Sequence, residues 1–196
     1  IKEKTDKPLS PELIREIHGY ITAGTLDEPS QEGNFRTEDV EVFDIDGQQI
    51  LHTPPSHSEI EKSINLLCEF ANDEGEEFAH PVIKGIILHF WLAYLHPFID
   101  GNGRTARALF YWHVLKKKYW LFEYLSISSI ILKKRVQYYK SFLYSEIDDG
   151  DMTYFIMFHL HAIIEAIREL RDYLESKQRE SHLARRFFAK YPMLNH

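Results

Sequence analysis

Between Ile83 and Leu95, apolar side chains fall on almost every side of a helix, and this stretch constrains the fold more than any other. Ile83, Ile87, Phe90 and Tyr94 repeat along one face, and Ile86, Leu88 and Trp91 widen it. A helix with so little polar surface has to sit at the centre of a core with other elements packed around it. Lys84 and His89 interrupt the run, and it falls short of the roughly 20 apolar residues that a membrane span requires. The pattern then breaks at His96-Pro97-Phe98-Ile99-Asp100-Gly101-Asn102-Gly103-Arg104-Thr105-Ala106-Arg107. A new helix is predicted from Asn102 or Gly103 toward Lys118. Few packing needs ask for an imidazole, a carboxylate, two glycines and two arginines in one loop.

The rest of the chain reads as helices around that centre. Ser10-Pro11 is a helix start, with Ser10 as cap, Pro11 in the first turn and Leu9 as staple, before the apolar pair Leu13 and Ile17. Ser56 or Ser58 opens a helix with the stripe Ile60, Ile64, Leu67 and Ala71. His80-Pro81 opens the central one. Further helices are predicted over 126–145, with Ile130, Val136, Phe142 and Leu143 for packing, and over 153–176. A final short helix or connector is expected over 181–191. Only Val40-Glu41-Val42 and Gln48 to His52, around a turn at Asp44–Gly47, alternate as a hairpin does. A lone hairpin is marginal in water, so it must lie against the helices. The expected class is therefore mainly all-α, a helical bundle with one small β-hairpin.

The 196 residues suffice for one sizeable domain. A net charge of −7 argues against direct nucleic-acid binding by these residues, but leaves room for a local positive pocket. The single cysteine, Cys68, excludes an internal disulfide and is expected to pack in a helix. No signal-peptide pattern opens the chain, and a cytoplasmic location with no membrane association is expected. Asp148-Asp149-Gly150-Asp151 lacks the ligand spacing of a calcium loop and reads as an acidic turn.

The twelve-residue loop has the chemistry of a phosphate site. Glycines before a helix let backbone N–H groups approach an anion. Asn102 can add a side-chain donor. Arg104 and Arg107 share one face of the first turns, where cations oppose the helix dipole unless an anion is present. Gly-Asn-Gly alone would serve equally as a capping loop with its arginines paired to acids. Asp100 suits either a helix cap or Mg²⁺ bound to a pyrophosphate. His96 can take a proton from an attacking hydroxyl at neutral pH. The lysine of the common nucleotide-binding loop is missing, and no strand–helix alternation surrounds these glycines.

From His96 to Arg107 the sequence closely resembles the Fic (Fic/Doc) family motif, His-x-Phe-x-Asp/Glu-Gly-Asn-Gly-Arg-x-x-Arg, without departure at a defining position. The likeness extends from about Gly33 to Phe142. It implies a Fic-type helical bundle that uses ATP with Mg²⁺ to transfer AMP to a Ser, Thr or Tyr hydroxyl of a protein. By the same resemblance His96 would be the general base and Asp100 would hold Mg²⁺. Gly101, Asn102 and Gly103 would form the anion nest, Arg104 would grip phosphate and Arg107 would orient the gamma phosphate. Val40, Glu41 and Val42 would belong to a target-positioning flap. Tyr138 and Tyr139 would reach the nucleotide pocket, although core packing also suits them. The implied division is an N-terminal helical segment (1–32) packed on the core, a catalytic domain (33–180) with its flap at 33–55, and a short helix or connector (181–196). Many family members carry an inhibitory helix, Ser/Thr-x-x-x-Glu-Gly/Asn. No copy is evident before residue 33 or near the C-terminus, so it would act from a partner, lie in a missing segment, or be absent. Removal of AMP from a modified protein and a nucleotide-responsive interaction module are the rival readings.

Overall fold

The computed structural model describes residues 2–43, 48–75 and 79–190. Among these residues the chain forms helices α1 (Pro11–Thr22), α2 (Ile60–Asn72), α3 (Pro81–Leu95), α4 (Asn102–Lys116), α5 (Ile127–Lys133), α6 (Arg135–Ile147) and α7 (Thr153–Lys190). One antiparallel hairpin joins β1 (Val42–Phe43) to β2 (Ile50–His52). The mainly helical class with a single hairpin is as the periodicity predicts. No helix among the described residues is long and apolar enough to cross a membrane.

The unusual sequence of α3 follows from its place. Leu88, Leu92 and Leu95 enter one core cluster with α1, α2 and the Leu109 and Trp112 side of α4. Val82, Ile86 and Phe90 enter a second cluster with Phe110 and Val114 of α4 and with α5, α6 and α7. A helix lying between two cores has no wide polar face to offer. Gly85 lets α4 come close: a Cβ there would stand 3.1 Å from the Phe110 ring. The edge marked by Tyr94, expected to pack, is instead the more open one, with Tyr94 37% exposed.

The helix starts follow their caps. Ser10 Oγ accepts from the Leu13 N–H at 3.2 Å, and His80 Nδ1 accepts from the Val82 N–H at 3.2 Å. Cys68 is buried in α2. Elsewhere the expected boundaries shift. The helix predicted over 126–145 divides at Lys134 into α5 and α6. Lys134 has non-helical dihedrals (φ −115°, ψ 37°), and Lys133 and Lys134 at this break pair with Glu169 and Glu165 of α7. Ile130 and Phe142 pack as expected, whereas Val136 and Leu143 are exposed. The short C-terminal helix is not separate: α7 continues unbroken to Lys190, because nothing in Glu175-Ser-Lys-Gln-Arg-Glu-Ser181 interrupts a helix. The strand expected to begin at Val40 begins at Val42, so Val40 and Glu41 precede the ladder. The turn at Asp44–Gly47 lies outside the described residues.

Candidate active site

His96 sits where α3 ends. Its backbone is left-handed (φ 46°, ψ 55°), a conformation that helix ends usually give to glycine. Arg36 holds it there. This guanidinium, only 4% exposed, donates Nε–H to the His96 carbonyl (2.8 Å), Nη1–H to Glu38 (2.8 Å) and Nη2–H to Pro55 (2.5 Å). The Arg36 backbone N–H also donates to Pro97 O at 2.9 Å. One cation therefore satisfies a terminal carbonyl of α3, favours the negative end of its dipole, and ties both ends of the hairpin segment to the histidine.

Contacts at the His96 ring decide its tautomer. Nδ1 lies 3.2 Å from Ala93 O, and a carbonyl can only accept, so Nδ1 carries the hydrogen and Nε2 the lone pair. Nε2 has no partner among the described residues. Burial pushes the imidazole pKa down to about 4, so the ring is neutral at neutral pH and free to take a proton. The hairpin is fastened alongside. His52 of β2, 9% exposed, lies with Nε2 2.7 Å from Tyr94 O and Nδ1 2.5 Å from Glu146 Oε1. A cavity of about 600 Å³ adjoins this contact, lined by Ile50 to Thr53, Phe90, Tyr94, Ser145 and Glu146.

Side chains on the inner side hold the loop after His96. Pro97 and Phe98 are buried, and Phe98 stacks on His18 of α1 with ring centres 3.7 Å apart. Asn102 is 2% exposed and closes the loop on itself: its Oδ1 accepts from Phe98 N–H (2.9 Å) and its Nδ2–H donates to Phe98 O (2.8 Å). The side chain expected to donate to an anion thus clasps the loop through Oδ1 and one Nδ2 hydrogen, while the Asn102 backbone N–H opens α4. Gly101 is left-handed at φ 79°, and a Cβ there would lie 2.5 Å from Thr22 Cγ2 and 3.1 Å from His18 Nε2. Gly101→Ala should therefore cost at least about 2 kcal/mol of stability, from backbone strain before the clash is counted. A denaturant titration that showed an unchanged midpoint would contradict this close packing.

The outer side is left open. α4 begins with no side-chain cap, so its first N–H groups have no acceptor among the described residues. Asp100 Oδ1 accepts from the Gly101 N–H (2.5 Å), and Oδ2 lies 3.3 Å from Arg104 Nη2. Arg104 also donates to Thr25 Oγ1 at 2.6 Å. Arg104 thus fits the modest reading of an arginine paired to an acid. Arg107 does not. It is half-buried and has no hydrogen bond or ion pair among the described residues, and a Cβ on Gly103 would lie 3.4 Å from its Nη1. An unpaired guanidinium beside the positive end of a helix is stable only if solvent or an anion compensates it.

Tyr138 is buried in the second core, with its hydroxyl 3.2 Å from His89 Nε2, and the Arg107 guanidinium is near enough for its charge to act on that hydroxyl. Tyr139 is 37% exposed, and its ring lies 5.6 Å from the Arg135 guanidinium carbon. Arg36, His18 and His52 were not singled out from sequence. Each acts through carbonyls or rings distant along the chain, which leave no local pattern.

The sequence profile of the Fic/DOC family matches residues 8–114. A protein adenylyltransferase Fic of Nematostella vectensis is 35% identical over 96 residues, 49% of this chain and 20% of that protein. One from Drosophila grimshawi is 29% identical over 149 residues, 75% of this chain and 26% of that protein. The chain thus spans about a fifth to a quarter of the length of these curated relatives. In solved structures, a Fic family protein from Desulfovibrio desulfuricans G20 superposes with a TM-score of 0.72 at 25% identity, covering 90% of this chain and 51% of that one. Fic-1 from C. elegans superposes at 0.67 and 21% identity, covering 90% and 47%, a likeness of fold. With more than half its length matched by that profile, the chain belongs to the Fic/DOC family.

Proposed function

We propose that this chain transfers AMP from ATP to a Ser, Thr or Tyr hydroxyl of a protein, with His96 as the base. The observation that carries this reading is the combination of a neutral imidazole with a bare Nε2 and, one loop away, an uncapped helix start beside the unpaired Arg107. The curated relatives named protein adenylyltransferase Fic support the same reaction. The reading divides the chain as an N-terminal helical segment (1–32), a catalytic domain (33–180) with a flap at 33–55, and a C-terminal part after 180.

Asp100 suits Mg²⁺. Among the described residues no three metal-ligating side chains cluster, so Asp100 alone would hold the ion, with phosphates and water completing the shell. Its carboxylate is 68% exposed and can turn toward such an ion. Bound there, Mg²⁺ would neutralise charge on the phosphates. The backbone amides of Asn102 and Gly103 and the Arg104 side chain would bind the phosphate oxygens, Gly101, whose N–H is given to Asp100, would shape the turn, and Arg107 would orient the far end of the chain of phosphates. His96 Nε2 accepts the proton of the incoming hydroxyl as its oxygen attacks the alpha phosphorus and pyrophosphate leaves. The open edge of β1 suits pairing with an extended target segment, which would bring its hydroxyl toward His96. Any inhibitory helix would act from a partner or from a segment outside these residues.

Incubation with Mg²⁺ and ATP labelled at either the alpha or the gamma phosphate, in native lysate, tests the reaction. Alpha label on protein and none from gamma is the expected result. Gamma label on protein, or release of free AMP from an adenylylated target without any forward transfer, would replace this reading. Arg107→Ala should lower transfer at least about tenfold, the effect of losing one charge-assisted phosphate contact of roughly 1.5–3 kcal/mol. An unchanged rate would remove Arg107 from the site.

A further inference from the structure

His18 lies on α1, far in sequence from the twelve-residue loop, and is 0% exposed. Its two ring nitrogens meet partners of opposite kind. The Gly33 N–H donates to Nδ1 at 2.9 Å, so Nδ1 is bare. Nε2 must then carry the hydrogen, which it donates to the Asp100 carbonyl at 2.9 Å. One neutral tautomer satisfies both bonds. The ring face lies flat on Phe98, at an interplanar angle of 7°.

The Asp100–Gly101 peptide group is what this arrangement controls. Its carbonyl is held by His18, while its N–H donates to the Asp100 carboxylate at 2.5 Å. The peptide is trans, so its C=O and N–H point in opposite directions. Fixing the carbonyl inward against α1 aims the N–H outward, and the carboxylate follows it. Gly101 is required for the same reason, since a side chain there would strike both His18 and Thr22.

We propose that His18 is a positioning residue that sets the orientation of the Asp100 carboxylate toward a bound divalent cation. This rests on the reading of Asp100 given above. His18 itself touches neither nucleotide nor target. Its influence passes through one peptide plane.

Calorimetric binding of α,β-methylene-ATP, with Mg²⁺ or with EDTA, tests this without relying on turnover. His18→Phe keeps the ring on Phe98 but loses both hydrogen bonds. It should weaken the Mg²⁺ complex about tenfold, as loss of a group supporting a metal ligand does, and leave binding in EDTA nearly unchanged. His18→Gln retains a donor and an acceptor and should restore most of the Mg²⁺-dependent affinity. Wild-type protein that binds equally with and without Mg²⁺ would overturn the metal role of Asp100 and this inference with it. Wild-type dependence on Mg²⁺ that His18→Phe shares in full would overturn the role of His18 alone. Wild-type protein also gives an answer should His18→Phe fail to fold. The His18 Nε2–H resonance should shift when Mg²⁺ is added to the nucleotide-loaded protein, and a stationary resonance would refute the coupling.

Discussion

Replacing His96 by alanine is expected to lower AMP transfer by about 10²- to 10⁴-fold, the usual contribution of a general base, while ATP binding changes little. The two effects separate because the proposed phosphate contacts do not include the ring. Nδ1–H is committed to Ala93 O, which leaves Nε2 as the one basic atom, and burial keeps the ring unprotonated down to about pH 4. His96 is held from behind, by Arg36 on its carbonyl, so alanine removes the base without removing that anchor. The check is single-turnover transfer beside a nucleotide titration. Undiminished transfer by the variant would show that another group takes the proton. Equal loss of binding and transfer would mean that the loop had collapsed.

Mild acid should unfold the protein steeply. His96, His113 and His159 are each held by burial at a pKa of about 4, and burial lowers His89 as well. An unfolded histidine titrates near 6.5. Between those values the unfolded chain binds protons that the folded one refuses, so stability is complete above about pH 6.5 and is lost as pH falls toward 4. Three such groups give a slope of about 4 kcal/mol per pH unit near pH 5, against a total stability of roughly 5–15 kcal/mol for a typical domain. Neither ring nitrogen of His113, nor Nε2 of His159, has a hydrogen-bond partner to offset the burial. Urea titrations at pH 7 and pH 5 measure the slope. His113→Leu should reduce it by about 1.4 kcal/mol per pH unit, one proton's worth. A stability that is flat across this range would contradict the neutral buried state of these rings.

Chemistry confined to neighbouring residues could be read from the sequence, and chemistry assembled across the chain could not. His96, Asp100, the glycines and the two arginines announce themselves because a stretch of twelve residues carries them all. The all-round apolar surface of α3 likewise foretold a central helix, since burial leaves its mark at every position. Arg36 and His18 left no such mark. Each is a single polar residue that reaches the loop through one main-chain carbonyl, 60 and 82 residues away respectively. Asn102 has a residue type suited equally to an anion and to a loop clasp, and only the position of Phe98 decides between them. The break at Lys134 has no glycine or proline to mark it, and the unbroken run of α7 depends on the absence of any breaker, a weaker signal than a cap. Tyr138 illustrates the remaining ambiguity, since a tyrosine on an amphipathic helix faces a ligand or a core according to what packs opposite.

The central claim is that the helix start after Gly101 receives a nucleotide's phosphates beside a bare imidazole nitrogen. A crystal structure with Mg²⁺ and α,β-methylene-ATP tests it most directly. The account predicts phosphate oxygens on the backbone amides of Asn102 and Gly103 and on Arg107, with His96 Nε2 facing the alpha phosphorus from the side opposite the leaving group. A nucleotide bound elsewhere, or phosphates at this loop with Nε2 turned away from them, would contradict it.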